Sequence, residues 1–309
     1  MENTMSSPAA KRWEIHRGDA AYPPALEDLE SPPELLYGLG NPEALLGPCI
    51  SVVGARKATP YGLAVAEMVG RIAAECGITV VSGGAMGCDC AAGDAALKAG
   101  GYTVVVSGCG ADVVYPSSSA AVFEGAKSGG GAIISMEPWG AGPRRWTFPK
   151  RNVVIAALSQ VLVVTEAGAK SGTMSTAEAA IELDRVVYAI PGSIFSPTSS
   201  GTNGLIAEGA RIIPDESSLE LALALDYGVA RFSGREARDQ MGPVMSALLA
   251  SPSRPEELAE RLNENVLTIL KTLTDYEARS LAVRLPDGRW SPSQSYLANR
   301  EGSQKHSSK

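Results

Sequence analysis

One short segment combines positive charge with aromatic rings at high density. Residues 143–152 read PRRWTFPKRN and contain the cations Arg144, Arg145, Lys150 and Arg151 and the rings Trp146 and Phe148. Cations attract a phosphodiester backbone, and flat rings accept stacked bases at about 1–3 kcal/mol per base. The whole chain has four Trp and four Phe, so one of each here is informative. The segment favours binding of single-stranded nucleic acid; the alternative is a surface loop that its two rings anchor to the core.

A glycine-containing turn offers a second kind of chemistry. Residues 51–62 read SVVGARKATPYG, in which Gly54 permits a tight turn and Arg56 and Lys57 stand just before a helix start. Backbone N–H groups and two cations then point at one spot, which predicts an anion site suited to phosphate. The turn lacks the Gly-x-Gly-x-x-Gly spacing and the ribose-binding acid of dinucleotide enzymes, which disfavours a Rossmann oxidoreductase. A solvated Arg-Lys pair is the alternative.

Similar turns follow later apolar runs. They contain Gly83, Gly84 and Gly87; Gly108 and Gly110; Lys170, Ser171, Gly172 and Thr173; and Gly201, Thr202, Asn203 and Gly204. Turns of this kind at successive strand ends indicate backbone exposed to one extended ligand. Glu166 and Glu178 lie nearby and are interpreted as capping or solvated carboxylates rather than as a general acid or base, because no partner for proton transfer accompanies them.

Composition excludes several classes of protein. The two histidines, His16 and His306, lie near the termini, which argues against Ser-His-Asp or Cys-His catalysis and against His-ligated zinc. The five cysteines are an odd number, so we expect no disulfide framework, and Cys88 and Cys90 are interpreted as small buried residues rather than metal ligands. The net charge is −7, so a polyanion must bind at a local patch and not through bulk charge.

The length of 309 residues allows one large and one small domain. Neither an 18-residue apolar run nor the apolar core of a signal peptide is present in the sequence. We therefore expect a soluble, cytoplasmic protein.

Seven short apolar runs alternate with helical patterns between residues 48 and 225. The runs lie at 50–53, 78–81, 103–106, 132–135, 161–165, 186–190 and 211–213. Nearly continuous apolar character is typical of strands covered on both faces, which predicts an α/β fold with a doubly wound parallel sheet. Thr59, Asp89 and Asp215 are candidate N-caps of the helices between them. Ligands of such sheets bind at the carboxyl ends of the strands, where the glycine turns lie.

Composition also divides the chain into segments. We expect a flexible N-terminus at 1–20, a Rossmann-like domain at 21–225, a charged linker at 226–240, a small domain at 241–292 and a disordered tail at 293–309. Three short helices and a hairpin in the small domain are the pattern of a winged helix. Its third helix has more acidic than basic residues, so we expect it to contact a protein rather than a DNA major groove.

Six linked motifs resemble those of one bacterial family. GARKATPYG, VSGGAMGCDCAAGDAAL, GCGADVVYP, FPKRN, EAGAKSGTMSTAEAA and IPGSIFSPTSSGTNGLIAEGA occur in the order and spacing of the DNA-processing protein A family (DprA/Smf), across about residues 20–225. The resemblance implies an extended Rossmann-like, mostly parallel sheet and a C-terminal winged helix. It also implies a non-enzymatic protein without a cofactor, which binds incoming single-stranded DNA, forms a homodimer and loads the RecA recombinase in natural transformation, with single-strand-binding protein as a further partner.

The turns and the resemblance together give one set of candidate DNA-binding residues. The set is Gly54, Arg56, Lys57, Gly83, Gly84, Gly108, Phe148, Lys150, Arg151, Asn152, Lys170, Ser171, Gly172, Thr173, Gly201, Thr202 and Asn203. Met86, Gly93 and Val153 stand where the family usually has arginine, histidine and arginine. These departures imply a thinner positive patch and weaker, more salt-sensitive DNA binding than in typical members.

An enzyme is the alternative from a different class. The lysine-decarboxylase-like phosphoribohydrolases have a similar sheet and use a Pro-Gly-Gly-x-Gly-Thr-x-x-Glu run to hydrolyse nucleoside monophosphates. The corresponding stretch here, EAGAKSGTMSTAE, lacks the tandem glycines but keeps Gly172, Thr173 and Glu178. Release of ribose 5-phosphate from AMP, lost when Glu178 is changed, would support this alternative.

Overall fold

A computed structural model describes residues 11–229, 243–293 and 296 of the chain. The chain falls into two compact units, Met1–Phe232 and Ser233–Lys309. Each unit has its own buried apolar core. No helix in these described ranges is both long enough and apolar enough to cross a membrane.

The first unit is built on one nine-stranded mixed sheet. Its strands are β1 (Arg12–His16), β2 (Leu35–Gly40), β3 (Cys49–Val53), β4 (Thr79–Ser82), β5 (Thr103–Ser107), β6 (Gly131–Ser135), β7 (Val161–Val164), β8 (Val186–Ala189) and β9 (Arg211–Ile212). Their spatial order is β1-β2-β6-β5-β4-β3-β7-β8-β9. Strands β3 to β9 run parallel, and all seven predicted strands are present. The doubly wound, mostly parallel sheet is thereby confirmed.

Helices cover both faces of this sheet. They are α1 (Pro60–Glu75), α2 (Cys88–Lys98), α3 (Ala120–Lys127), α4 (Thr147–Ala157), α5 (Gly172–Glu182), α6 (Ser200–Ala207) and α7 (Glu216–Tyr227). Apolar side chains of α1, α2 and α7 pack on one face, and those of α4, α5 and α6 pack on the other. Neighbouring strand residues such as Val80 and Val81 enter opposite cores, which explains the continuous apolar runs.

Two of the three predicted helix caps are correct. Thr59 and Asp215 each accept a backbone N–H from the first turn of their helix. The prediction for Asp89 is wrong, because α2 starts directly after Gly87, whose φ of +84° suits glycine. Asp89 lies inside the first turn of α2 and folds back onto the preceding loop, where its Oδ2 accepts the N–H of Gly83 at 3.0 Å.

The N-terminal edge of the sheet departs from the predictions. Residues 12–16, expected to belong to a flexible N-terminus, form β1, which pairs antiparallel with β2. Strand β2 in turn pairs antiparallel with β6, so the sheet is mixed rather than wholly parallel. The Trp13 indole N–H donates to the carbonyl oxygen of Gly40 at 3.0 Å, and its ring covers Gly38. Packing of this ring, which no periodicity reveals, holds β1 in place.

The second unit contains three helices and one antiparallel hairpin. The elements are α8 (Pro243–Ala250), α9 (Pro255–Leu262), α10 (Val266–Ala278), β10 (Ala282–Arg284) and β11 (Trp290–Pro292). Their buried side chains form one core that includes Leu248, Leu258 and Trp290. The three helices and the hairpin agree with the predicted elements. The predicted linker starts too early, because residues 226 and 227 complete α7; residues 230–242 lie outside the described residues, as does most of the predicted tail.

Candidate nucleic-acid interface

The carboxyl ends of the parallel strands meet along one side of the sheet, which we call the carboxyl edge. The strand order reverses between β3 and β7: from β3 the chain proceeds to β4, β5 and β6 on one side, and from β7 it proceeds to β8 and β9 on the other. All the predicted site residues lie in turns after β3, β4, β5, β7 and β8 or in the first turns of α4, α5 and α6. In open α/β sheets, the crevice at such a reversal is where ligands bind.

Phe148, in the first turn of α4, connects three of these turns. Its ring centroid lies 5.9 Å from the guanidinium carbon of Arg56 and 5.9 Å from that of Arg151. The Tyr115 ring lies 5.7 Å away, and a Cβ on Gly108 would come within 2.8 Å of the Phe148 ring. The turns after β3 and β5 and the start of α4 therefore come together around one aromatic side chain.

Arg151 is buried beneath this ring and is only 4% exposed. Its Nη1 donates to the carbonyl oxygens of Gly83 at 2.5 Å and Val106 at 2.6 Å, which ties the ends of β4 and β5 to α4. Burial lowers the pKa of Arg151 to about 10, although the attraction of Asp89 opposes this shift. The DNA contact predicted for Arg151 stays a prediction, and in this structure its guanidinium is enclosed by the protein. Its role is to position the turn after β4.

Asp89 completes the same buried arrangement. Its Oδ2 accepts the N–H groups of Gly83 at 3.0 Å and Ala85 at 3.4 Å. Desolvation raises the pKa of Asp89, whereas the positive charge of Arg151 and the N–H donors act to lower it. The carboxylate therefore binds the N–H of Gly83 while the guanidinium binds its carbonyl, so the two side chains fix this turn from opposite sides.

Several of the predicted glycines make room for side chains. A Cβ on Gly83 would lie 2.2 Å from Nη1 of Arg151, and one on Gly54 would lie 2.5 Å from Oγ1 of Thr165. Gly84 and Gly108 are similarly close to aromatic rings, and all four glycines are buried. Their predicted contact with a ligand stays a prediction, and in this structure the four glycines are enclosed by neighbouring side chains. Their small size lets neighbouring side chains pack closely against the turns of the carboxyl edge.

The carboxyl edge carries six exposed cations that form no ion pair with any described residue: Arg56, Lys57, Arg144, Arg145, Lys150 and Lys170. Most other cations of the first unit lie within 4.0 Å of a carboxylate: Arg12, Arg17, Arg71, Lys98, Lys127, Arg185 and Arg211. Most of the unpaired positive charge in the described part of the first unit thus lies along the carboxyl edge. Such a concentration attracts polyanions locally.

Trp146 supplies an exposed aromatic surface beside these cations. The side chain is 67% exposed, and the guanidinium carbon of Arg144 lies 5.7 Å from its ring. An anchor to the core would be buried, so this interpretation fails for Trp146. It holds in part for Phe148, which is half-buried against Gly108. The basic aromatic segment therefore begins a helix and keeps one ring free for stacking.

The first turn of α5 is held mainly by internal bonds. Ser171 caps the helix by accepting the N–H of Thr173 at 3.2 Å, and the Thr173 hydroxyl donates to the carbonyl of Gly54 at 3.0 Å. The Asn152 amide donates to Oγ of Ser175 at 2.9 Å. Thr173, also predicted to contact DNA, is buried, whereas Gly172 and Lys170 are exposed. These bonds join α5 to β3 and α4.

The predicted residues of α6 also brace the fold. The N–H of Gly201 donates to the carbonyl of Ala167 at 2.7 Å, and Thr202 is buried. The Asn203 side chain accepts from the N–H of Gly192 at 3.1 Å and donates to its carbonyl at 3.0 Å. The phosphate contacts predicted for these three residues stay predictions, and in this structure their N–H, hydroxyl and amide groups bond within the protein. These residues hold the loop after β8.

Glu166 acts as a buried helix cap. Its Oε2 accepts the N–H of Thr59 at 2.8 Å, and its Oε1 accepts the hydroxyls of Thr59 at 2.8 Å and Thr198 at 2.7 Å. The capping interpretation is confirmed.

No group of three or more His, Cys, Asp or Glu side chains suited to a metal ion occurs in the described part of the chain. Sequence reasoning missed the structural role of Asp89, since a carboxylate two residues into a helix more often caps or faces solvent.

Comparisons with known proteins agree with this architecture. The family model described as DNA recombination-mediator protein A matches residues 13–223. Protein Smf of Synechocystis sp. is 36% identical over 218 residues, which is 68% of this chain and 54% of that protein. DNA processing protein DprA of Streptococcus pneumoniae is 38% identical over 197 residues, which is 63% of this chain and 68% of that protein. The match thus spans about half the length of the Synechocystis relative.

Solved structures extend the comparison. DNA processing protein A from Streptococcus pneumoniae matches with a TM-score of 0.65 and 36% identity, covering 69% of this chain and 74% of that chain. The corresponding protein from Helicobacter pylori matches with a TM-score of 0.64 and 30% identity, covering 72% of this chain and 100% of that chain. Since the family match covers the nine-stranded unit from β1 through most of α7, the chain belongs to the DNA recombination-mediator protein A family, DprA/Smf.

Proposed function

We propose that this recombination mediator binds single-stranded DNA along its carboxyl edge and acts without catalysis. The observation that carries the proposal is the gathering of unpaired cations such as Arg56 and Lys150 beside the exposed ring of Trp146, in a chain of net charge −7. The Helicobacter pylori relative has a described single-stranded DNA binding mode. The cations would contact successive phosphates and the ring would stack with a base, so no base-specific contact is required.

Buried hydrogen bonds hold the turns that form this surface in place. Arg151 and Asp89 fix the turn after β4, while Thr173 joins the turns after β3 and β7. The exposed cations therefore project from loops whose backbones are already held. A prearranged surface loses less conformational entropy when it binds a flexible polynucleotide.

Affinity for oligo-dT tests the proposal. We expect Lys150→Ala to weaken binding and to reduce the slope of log K against log salt by about 0.7. Lys98→Ala is a matched control, because Lys98 is also exposed but forms an ion pair with Asp94 on α2. Duplex DNA and AMP serve as competitors. Oligo-dT affinity without salt dependence, or an equal loss in the control, would overturn the electrostatic basis.

The phosphoribohydrolase alternative has no specific support in the geometry. Thr173 is buried with its hydroxyl on the carbonyl of Gly54, and Glu178 is exposed on α5. These two members of the residual motif therefore do not present a shared polar pocket. We infer that nucleotide hydrolysis is not the activity of this chain, and absence of ribose 5-phosphate release from AMP is the expected result.

A homodimer is part of the proposal. Leu221 and Leu225 lie one helical turn apart on α7 and are both exposed. An apolar patch of this kind suits a self-complementary contact between two copies. Sedimentation should show a dimer that Leu225→Glu dissociates; a wild-type monomer at all concentrations would reject this part.

Loading of the RecA recombinase is the proposed outcome of DNA binding, in natural transformation or a related DNA-processing step. The support is membership of the recombination-mediator family. A mediator must act on DNA that single-strand-binding protein already covers. We therefore expect this chain to speed filament formation by RecA on such covered DNA, measured by ATP hydrolysis, and Lys150→Ala to do so less well.

We propose that the second unit is a winged helix that contacts protein. Three helices and one hairpin around a single core support the fold. Helix α10 carries Lys271 against Asp275 and Glu277, and it exposes Leu267. An acidic and partly apolar helix is poorly suited to a DNA major groove and better suited to another protein.

A further inference from the structure

Two adjacent apolar side chains stand out on the loop after β8. Ile194 is 84% exposed and Phe195 is 90% exposed, the highest values among the large apolar residues of the described chain. Solvent exposure of such side chains gives up the free energy that their burial would contribute. Packing within the described part of the chain does not explain why apolar side chains occupy these two positions. We call Ile194 and Phe195 the tip.

The tip is held in a defined conformation. The N–H of Ser196 donates to the carbonyl of Ser193 at 3.0 Å, which closes a four-residue turn with Ile194 and Phe195 at its centre. The N–H of Phe195 also donates to Oγ of Ser193 at 3.3 Å. The exposed pair is therefore the apex of a closed turn and not part of an open chain segment.

Both ends of the loop are fixed to the carboxyl edge. The Tyr61 hydroxyl donates to the carbonyl of Pro191 at 2.7 Å, and the Thr198 hydroxyl donates to Oε1 of the buried Glu166 at 2.7 Å. Asn203 is bonded to Gly192 in both directions. These bonds fix the tip relative to β7 and α1, so binding there orders little additional chain.

The electrostatic surroundings of the tip favour a polyanion. The N–H of Ala169 donates to Oγ of Ser200 at 3.0 Å, so the turn that carries the unpaired Lys170 packs against the same loop. Residues 167–177 contain Lys170 as their single charged residue, and residues 189–207 contain none. An exposed aromatic ring on a loop that packs against the turn of an unpaired cation suits a nucleotide chain, which offers both a base to stack and a phosphate to bind.

We propose that the tip is a second base-stacking platform for single-stranded DNA; this inference rests on the proposed function and extends it. Phe195 would stack with a base, Ile194 would contact the adjoining sugar, and Lys170 would bind the phosphate on the inner side. The DNA then crosses the carboxyl ends of β5, β4, β3, β7 and β8. The five strands are separated by four strand spacings, so the path is about 19 Å long.

Oligo-dT affinity of full-length variants tests the tip. Phe195→Ala should weaken binding by at least about fivefold, because stacking on one ring contributes on the order of that factor or more. Phe195→Trp should keep wild-type affinity, and Phe195→Leu should weaken it, since leucine is apolar but not flat. Ile181→Ala is the matched control, as this residue is also exposed, at the far end of α5. Thermal unfolding should be unchanged in all four variants.

Photocrosslinking supplies a direct readout. Oligo-dT that contains 5-iodouracil should crosslink to residue 195 in the wild-type protein. If the wild type binds oligo-dT and Lys150→Ala weakens it, but Phe195→Ala binds normally, the tip proposal fails while the proposed function stands. If the wild type does not bind oligo-dT, both fail. A Phe195→Ala variant that changes only the sedimentation coefficient would instead assign the tip to a second copy of the chain.

Discussion

Lys150 and Arg151 are neighbours in sequence with opposite roles. Arg151 is enclosed and donates to two carbonyl groups, whereas Lys150 is exposed and unpaired. Arg151→Met should lower the free energy of unfolding by about 2–5 kcal/mol, because the buried carbonyl groups of Gly83 and Val106 lose their donor. Urea unfolding measures this effect. Lys150→Met is the control and should stay within about 0.5 kcal/mol of wild type; equal stabilities for the two variants would contradict the bracing role.

The sequence could indicate which residue types occupy the site more readily than which of them face solvent. Arg56, Lys57 and Lys150 are exposed at the carboxyl edge, as their turns predicted. The direction of Arg151 depends on the phase of α4, because each residue advances a helix by about 100°. The signal that could have found its burial is the apolar spacing of Val154, Ile155 and Leu158, three, four and seven residues later, which places Arg151 on the buried face of α4.

At the scale of elements, one close contact adds to the ladder that attaches β1 to β2. A Cβ on Gly38 would lie 2.2 Å from the ring of Trp13. Gly38→Ala should therefore destabilise the protein by about 1–3 kcal/mol through overpacking. In the background of Trp13→Ala, the same change should cost much less, because the ring is gone. Denaturant unfolding of the four proteins of this cycle gives the coupling. Additive effects would show that the ring does not hold β1 against β2.

The elements that could be predicted are those whose burial leaves a mark on the sequence. Strands β3 to β8 lie inside the sheet and are apolar on both sides, which produces recognisable runs. Strand β2 contains Gly38 and Gly40, and glycine is unfavourable in strands. Its pairing with β1 depends on Trp13, a contact between residues distant in sequence. Local patterns do not report such contacts, so the antiparallel edge emerged only from the structure.

At the scale of the whole molecule, each unit has its own apolar core, but the proposed DNA contacts lie in the first unit. The buried clusters of the first unit contain residues from Ile15 to Leu223, and that of the second unit contains residues from Val244 to Trp290. The six unpaired cations and Trp146 belong to the first unit alone. Each unit therefore has the apolar core that independent folding requires, and the proposed DNA contacts lie in one of them.

Deletion of residues 241–309 tests this division. The shortened chain keeps Tyr227, whose hydroxyl donates to the carbonyl of Cys49 at 2.6 Å and joins α7 to β3. Because every proposed phosphate contact remains, oligo-dT affinity should change by no more than about twofold and the salt slope should be preserved. Lys150→Ala in the shortened chain should still weaken binding, which ties the residual affinity to the carboxyl edge. A folded but non-binding product would place an essential part of the DNA site in the second unit.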